Sequence, residues 1–255
     1  SNNLMTVRIA NDVGLKKINK KATELDIYKN TADILSSSLG SGETTLLKIT
    51  SAYGSFVNGG KKINPTLIDL IQDRNGKTIY KNNKLFCLGC KDEFKVVNPP
   101  LIEDRYKRVF NEDVSYQMVN ILKGVIERGT GKKLKKLKLE IAGKTGTTNE
   151  NLDAWFIGFT PELLVGVYVG FDEPSTLGKK ETGSKAALPV FSDIMKELKP
   201  NKFIPFFKST ETVKFSKINA KTGKKSFSNK NTINESFKLN TIIDTYNSSQ
   251  IMKEY

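Results

Sequence analysis

Apolar residues recur at helical spacing in several stretches of the chain. Leu4, Met5, Val7, Ile9, Val13, Leu15 and Ile18 fall on one helical period, with Gly14 near its end. Leu46 to Val57 predicts a second helix, capped by Thr44 or Thr45 and stopped by Asn58-Gly59-Gly60. Glu112 to Glu127 carries Val114, Met118, Ile121, Leu122 and Val125 at the same period and stops at Gly129. Ala186 to Leu198 predicts a last helix ending before Pro200. Strand patterns lie between them. Leu67 to Gln72 and Lys77 to Tyr80 flank Asn75-Gly76, a hairpin signal. Leu139 to Thr148, Ala154 to Phe159 and Leu163 to Phe171 read as three further strands. The last is almost continuously apolar, as suits a central strand covered on both faces. Their short connections predict an antiparallel meander. Lys81 to Asn111 is polar, contains Pro99-Pro100 and reads as a long loop or insertion.

These elements predict an α+β fold, an antiparallel sheet flanked by helices. Composition shifts after Pro200, where Lys, Asn, Ser and Thr dominate. The expected division is a domain over residues 1–199 and a polar, partly disordered extension over 200–255. One weak hairpin can be read in the extension, around Asn219-Ala220-Lys221-Thr222-Gly223.

Composition narrows the chemistry. The 255 residues hold 41 basic and 27 acidic side chains, a net charge of +14, so anionic partners are favoured in principle. No nucleic-acid motif accompanies the charge, and no nucleic-acid partner is expected. The densest run, Lys132, Lys133, Lys135, Lys136 and Lys138, reads as an exposed loop. The absence of histidine excludes Ser-His-Asp and Cys-His catalysis and His-dependent zinc sites. Cys87 and Cys90 are the only cysteines. Without a second pair they make no ordinary zinc site, and they read as a local structural pair or a disulfide in an oxidising compartment. No apolar run reaches the roughly 18 residues that a membrane span needs. The first residue is Ser1, which reads as a cut through a larger protein.

The stretch richest in chemistry is Gly143-Lys144-Thr145-Gly146-Thr147-Thr148, on a predicted strand. It sets an ammonium, hydroxyl groups and a glycine along one strand edge. Lys and Thr together can hold a carboxylate through charge-assisted hydrogen bonds. Glycine lets a ligand backbone approach, and a backbone N–H there can serve as an oxyanion donor. Lys221-Thr222-Gly223 repeats the tripeptide in the polar extension, where it reads as a turn. Ser1-Asn2-Asn3 precedes the first helix and by itself reads as an N-cap. Asp153 and Trp155 read as a strand-end group and a packing residue.

Gly143 to Thr148, followed by Asp153 to Pro161 and Val165 to Phe171, resembles the transpeptidase domain of class A penicillin-binding proteins. Gly40 to Glu43 running on to Gly60, Gly124 to Gly131, and Glu181-Thr182-Gly183 are similar to the same family, and the resemblance covers about residues 1 to 225. Its motif set is S-x-x-K, then Ser-x-Asn, then K-T-G. Ser1-Asn2-Asn3 fits the second and Lys144-Thr145-Gly146 the third. No serine here has a lysine three positions on, so the nucleophile is expected upstream of residue 1.

The resemblance implies a penicillin-binding protein and serine β-lactamase-like fold, truncated at its amino terminus. It implies D,D-transpeptidation of peptidoglycan through an acyl-serine intermediate, with this chain inactive alone. Ser1 would relay protons, Asn3 would orient the substrate amide, and Lys144 would hold Ser1 and stabilise the terminal carboxylate. Thr145, Gly146 and Thr147 would bind substrate, the N–H of Thr147 forming half the oxyanion hole. No metal or cofactor is implied. The expected partners are stem peptides ending in D-Ala-D-Ala, β-lactams, and divisome or elongasome proteins. The full-length protein would sit on the periplasmic face of the inner membrane, anchored by an upstream helix. The alternative reading is a non-catalytic basic module contacting anionic cell-wall polymer or membrane.

Overall fold

The computed structural model describes residues 2–29, 32–82, 85–88, 101–200 and 211–245. It divides into two compact units, Ser1–Val109 and Phe110–Tyr255.

The first unit opens with α1 (Asn3–Val13) and α2 (Leu15–Glu24). The apolar period across Leu4 to Ile18 is therefore two helices. Gly14 separates them at φ +92°, a value no helix interior adopts, and its N–H caps Ala10 O at 2.9 Å. Leu4, Met5, Ile9 and Val13 of α1 are exposed. α3 (Leu46–Val57) starts where expected, Thr45 Oγ1 accepting from the Lys48 N–H at 3.3 Å. It stops at Asn58, before glycines at φ +60° and +91°.

β1 (Leu70–Gln72) and β2 (Thr78–Lys81) form the expected hairpin. The Asp73 carboxylate accepts from the N–H groups of Asn75 and Lys77, and Gly76 takes φ +79°. The polar stretch after it differs from the loop expected there. β3 (Leu85–Leu88) and β4 (Leu101–Asp104) pair antiparallel, Leu85 opposite Asp104. β4 is exposed along its length, so backbone pairing makes this hairpin with little burial to announce it. Cys87, exposed on β3, is disulfide-bonded; Cys90 lies outside the described residues.

The second unit holds the sheet. α4 (Glu112–Glu127) leads through a glycine-rich turn and a short 3-10 helix (Lys132–Leu137) into β5 (Ala142–Thr147). The lysines of that short helix are exposed while Leu134 is buried. β5, β6 (Ala154–Phe159) and β7 (Leu164–Val169) form a three-stranded antiparallel sheet in chain order. Thr160 closes the β6–β7 turn by accepting from the N–H groups of Glu162 and Leu163. α5 (Ala187–Leu198) packs across β6 and β7, whereas α4 packs on β5. Phe156, Val167, Ala187, Leu188, Phe191 and Met195 form the core between sheet and helices, joined by Ile126 and Leu134. The Phe156 and Phe191 rings meet edge to face at 4.8 Å.

The extension after Pro200 is more ordered than its composition suggests. β8 (Val213–Asn219) and β9 (Thr232–Lys238) pair along seven residues each. β9 is held to α4 by polar contacts, Gln117 to the Ser236 carbonyl at 3.1 Å and Arg128 to Glu235 at 3.0 Å. Lys221-Thr222-Gly223 is a turn at the end of β8, with the Gly223 N–H on Asn219 O. Residues 201–210 and 246–255 lie outside the described residues. Among the described residues no helix is long and apolar enough to cross a membrane.

Phe191 is fully buried against Phe156 and the backbone of Gly158. Phe191→Ala is expected to lower stability by about 3–5 kcal/mol in urea unfolding followed by Trp155 fluorescence. A loss under about 1 kcal/mol would mean that α5 does not anchor the sheet.

Candidate functional site

β5 is where the chain concentrates groups able to act on a ligand. Six residue pairs tie it to β6, from Ala142 opposite Phe159 to Thr147 opposite Ala154. Its other edge has no strand partner among the described residues. Alternation along the strand puts Gly143, Thr145 and Thr147 on the face that Phe156 shares with α5. Lys144 and Gly146 lie on the opposite face, with Trp155 and Tyr168.

Lys144 is half-buried, and its Nζ donates to the Thr145 carbonyl at 2.7 Å. Burial pushes its pKa below the ordinary 10.5, because the ammonium loses hydration. Thr145 is buried, and its Oγ1 is 2.9 Å from Thr130 Oγ1. Thr147 is exposed, and its Oγ1 accepts from the Gly183 N–H at 3.0 Å. That bond occupies a lone pair and leaves the Thr147 proton to be offered elsewhere.

Glycines set the spacing. A Cβ at Gly183 would lie 2.3 Å from the Gly146 carbonyl oxygen and 2.4 Å from that of Trp155. A Cβ at Gly146 would be 3.0 Å from the Trp155 Cβ. The Trp155 ring stacks on Tyr168 at 4.6 Å, and Tyr168 donates its hydroxyl to Asp153 at 2.9 Å. That bond pushes the Tyr168 pKa up, since ionisation would set two anions side by side. Thr148 Oγ1 accepts from the Asp153 N–H at 2.7 Å and closes the β5–β6 connection. Asp153 and Trp155 thus take strand-end and packing positions.

The structure brings Lys144, Thr145, Gly146 and Thr147 together on one strand. Ser1 lies outside the described residues. Asn2 caps α1 by accepting from the Met5 N–H at 3.3 Å, and Asn3 is the exposed first residue of that helix, in the first unit. Thr130 and Gly183 entered the sequence reading only as members of the stretches Gly124 to Gly131 and Glu181-Thr182-Gly183, with no role of their own. Among the described residues no group of acidic or cysteine side chains could hold a metal ion.

The Lys144 ammonium on one face, the exposed Thr147 hydroxyl on the other and the unpaired strand edge between them offer a cation and donors to an extended peptide ending in a carboxylate. They can also stabilise an oxyanion beside it.

Comparison with known proteins gives the same direction. The family described as "Penicillin binding protein transpeptidase domain" matches residues 1–196. Penicillin-binding protein 1A of Rickettsia prowazekii is 44% identical over 247 residues, covering 95% of this chain and 31% of the relative. That of Neisseria meningitidis serogroup B is 33% identical over 204 residues, 77% of this chain and 23% of the relative. The chain thus spans about a third or less of the length of these relatives. The crystal structure of penicillin-binding protein 1A from Haemophilus influenzae superposes with a TM-score of 0.80 at 26% identity. It covers 96% of this chain and 39% of that one. The PonA1 protein of Mycobacterium tuberculosis in complex with penicillin V shares the fold, with a TM-score of 0.53 at 22% identity. It covers 72% of this chain and 46% of that one.

Two outcomes follow from the site. Gly183→Ala is expected to cost about 1–3 kcal/mol, because its methyl meets two backbone carbonyls that cannot rotate away. An unchanged urea midpoint would contradict this packing. Lys144 binds its proton less tightly folded than unfolded, so its penalty is full at low pH and fades as pH rises toward 10.5. The stability of wild type relative to Lys144→Met should therefore rise over the alkaline range as pH climbs toward 10.5. A flat difference across that range in paired thermal melts would refute it.

Proposed function

The chain belongs to the penicillin-binding protein transpeptidase family, and on that premise we propose that it is the carboxy-terminal part of a peptidoglycan D,D-transpeptidase. The nucleophilic serine and its lysine partner belong to an upstream S-x-x-K segment, as in the family motif order. That serine attacks the penultimate D-Ala carbonyl of a stem peptide. The terminal D-Ala leaves, and an amine of a neighbouring stem takes the acyl group.

β5 carries the reading. Lys144, Thr145, Gly146 and Thr147 sit on a strand with one edge unpaired among the described residues, where an extended stem peptide can add by backbone pairing. The Lys144 ammonium attracts the terminal carboxylate. Thr147 takes the carboxylate by a hydrogen bond, with Thr145 beside it on the strand, and the Gly183 donor leaves the Thr147 proton to be offered. Gly146 leaves room for the peptide backbone. The N–H of Thr147 and that of the upstream serine form the oxyanion hole, each donor worth about 3 kcal/mol. Ser1 passes the proton to the leaving or attacking nitrogen, and Asn3 orients the substrate amide. β-Lactams enter as mimics of D-Ala-D-Ala.

In this reading residues 1–199 complete the transpeptidase domain and 200–255 are an extension. The whole protein works on the periplasmic face of the inner membrane, anchored by an upstream helix and working with division or elongation proteins.

A labelled penicillin tests the proposal. The isolated 255 residues should take no covalent label, and the longer protein with the upstream S-x-x-K segment should be labelled. Lys144→Ala in the longer protein should slow labelling by about 100-fold or more, the scale of losing a charge-assisted contact in the acylation transition state. Label on the isolated chain, or a longer protein with Lys144→Ala labelled at the wild-type rate, would overturn the assignment.

A further inference from the structure

Thr130 lies on the turn between α4 and the short 3-10 helix and has been given no role above. Its Oγ1 is 2.9 Å from Thr145 Oγ1. The turn is built to bring it there. Flanking Thr130, Gly129 and Gly131 both donate their N–H groups to the Val125 carbonyl, at 3.1 and 3.0 Å. A Cβ at Gly129 would lie 2.9 Å from the Val125 backbone, and one at Gly131 2.6 Å from the Ile126 side chain. At Gly129 the clash is with backbone, so the turn folds back on the end of α4 there only as glycine; at Gly131 the nearest atom is the tip of the Ile126 side chain. Thr130 is then the sole side chain between them.

Its position suits ligand contact. α4 packs on β5, while α5 packs on β6 and β7, so the α4 turn lies toward the side of the sheet where β5 has no strand partner. Thr145 is buried at 9% exposure, whereas Thr130 is exposed. Two hydroxyls at hydrogen-bond distance use one proton between them and keep one for a third group. Either hydroxyl can be the donor; with Thr145 donating outward to Thr130, the remaining proton belongs to the exposed Thr130.

We propose that Thr130 is a carboxylate-recognising residue of the β5 site: its hydroxyl, backed by Thr145, donates to the terminal carboxylate of the stem peptide or β-lactam. This rests on the transpeptidase reading and deepens it. The carboxylate meets a pair of hydroxyls drawn from a strand and a turn, and the turn sets the depth at which it stops.

The test uses the longer protein with the upstream serine. It compares acylation by benzylpenicillin with acylation by benzylpenicillin methyl ester, which lacks the anionic carboxylate. Thr130→Val should slow acylation by the free acid about tenfold or more, the scale of a hydrogen bond to a charged group. Acylation by the ester should stay within about twofold, and Thr130→Ser should restore the free-acid rate. Equal slowing of both compounds would assign Thr130 a structural role and overturn the proposal, as would no slowing of either. If Thr130→Val does not fold, Thr130→Ala carries the same prediction, because it removes atoms from an exposed position and adds none. A wild-type protein that penicillin does not acylate would overturn the transpeptidase reading and this proposal with it. A wild-type protein that is acylated, with Thr130→Val unchanged, would overturn this proposal alone.

Discussion

A methyl group at position 183 would sit 2.3 Å from the Gly146 carbonyl oxygen and 2.4 Å from the Trp155 carbonyl oxygen. The loop leading into α5 can therefore close on β5 and β6 only as bare backbone. That contact delivers the Gly183 N–H to Thr147 Oγ1 and leaves the threonine proton to be offered elsewhere. The Leu188 N–H on the Gly183 carbonyl, at 2.9 Å, ties the same residue to the first turn of α5. α5 in turn sets Phe191 against Phe156. One steric constraint thus links the buried core of the second unit to a hydroxyl on β5.

The electrostatics of β5 follow from the same packing. Lys144 is drawn partly out of water, which raises the cost of its charge and strengthens its attraction for any anion that reaches it. The groups around it on the strand are hydroxyls and backbone, which have no pKa in the working range. For the carboxylate recognition proposed above, β5 supplies one cation and neutral donors. The chain's net charge of +14 lies mostly on solvated lysines and adds a long-range field, not a site.

Polar contacts do work in this molecule that apolar burial does elsewhere. The β8–β9 hairpin is joined to α4 by Gln117, Asn120 and Arg128, which meet Ser236 and Glu235. The first unit uses Lys21 and Lys62 in the same way, bonded to the carbonyls of Val109 and Glu24. Such contacts order segments whose composition reads as loop. They depend on partners distant in sequence, so no local pattern announces them.

Local patterns were enough for the sheet and the helices that cover it. β5, β6, α4 and α5 lie where the hydrophobic pattern puts them. β7, read as a central strand covered on both faces, is instead an edge of the sheet among the described residues with only Val167 buried, and the strand buried on both faces is β6. The motif Gly143 to Thr148 was legible for the same reason: it sits within a strong strand pattern and carries unusual side chains. The Gly14 break, the β3–β4 hairpin and β9 were not, since a positive φ or a backbone ladder leaves little trace in hydropathy. Thr130 and Gly183 show the remaining gap. Their residue types and glycine-rich surroundings were in the sequence, but a hydroxyl's partner depends on which turn folds back against which strand. Tertiary packing alone decides that, because hydrogen bonds act over about 3 Å while Thr130 and Gly183 lie many positions from Thr145 and Thr147 along the chain.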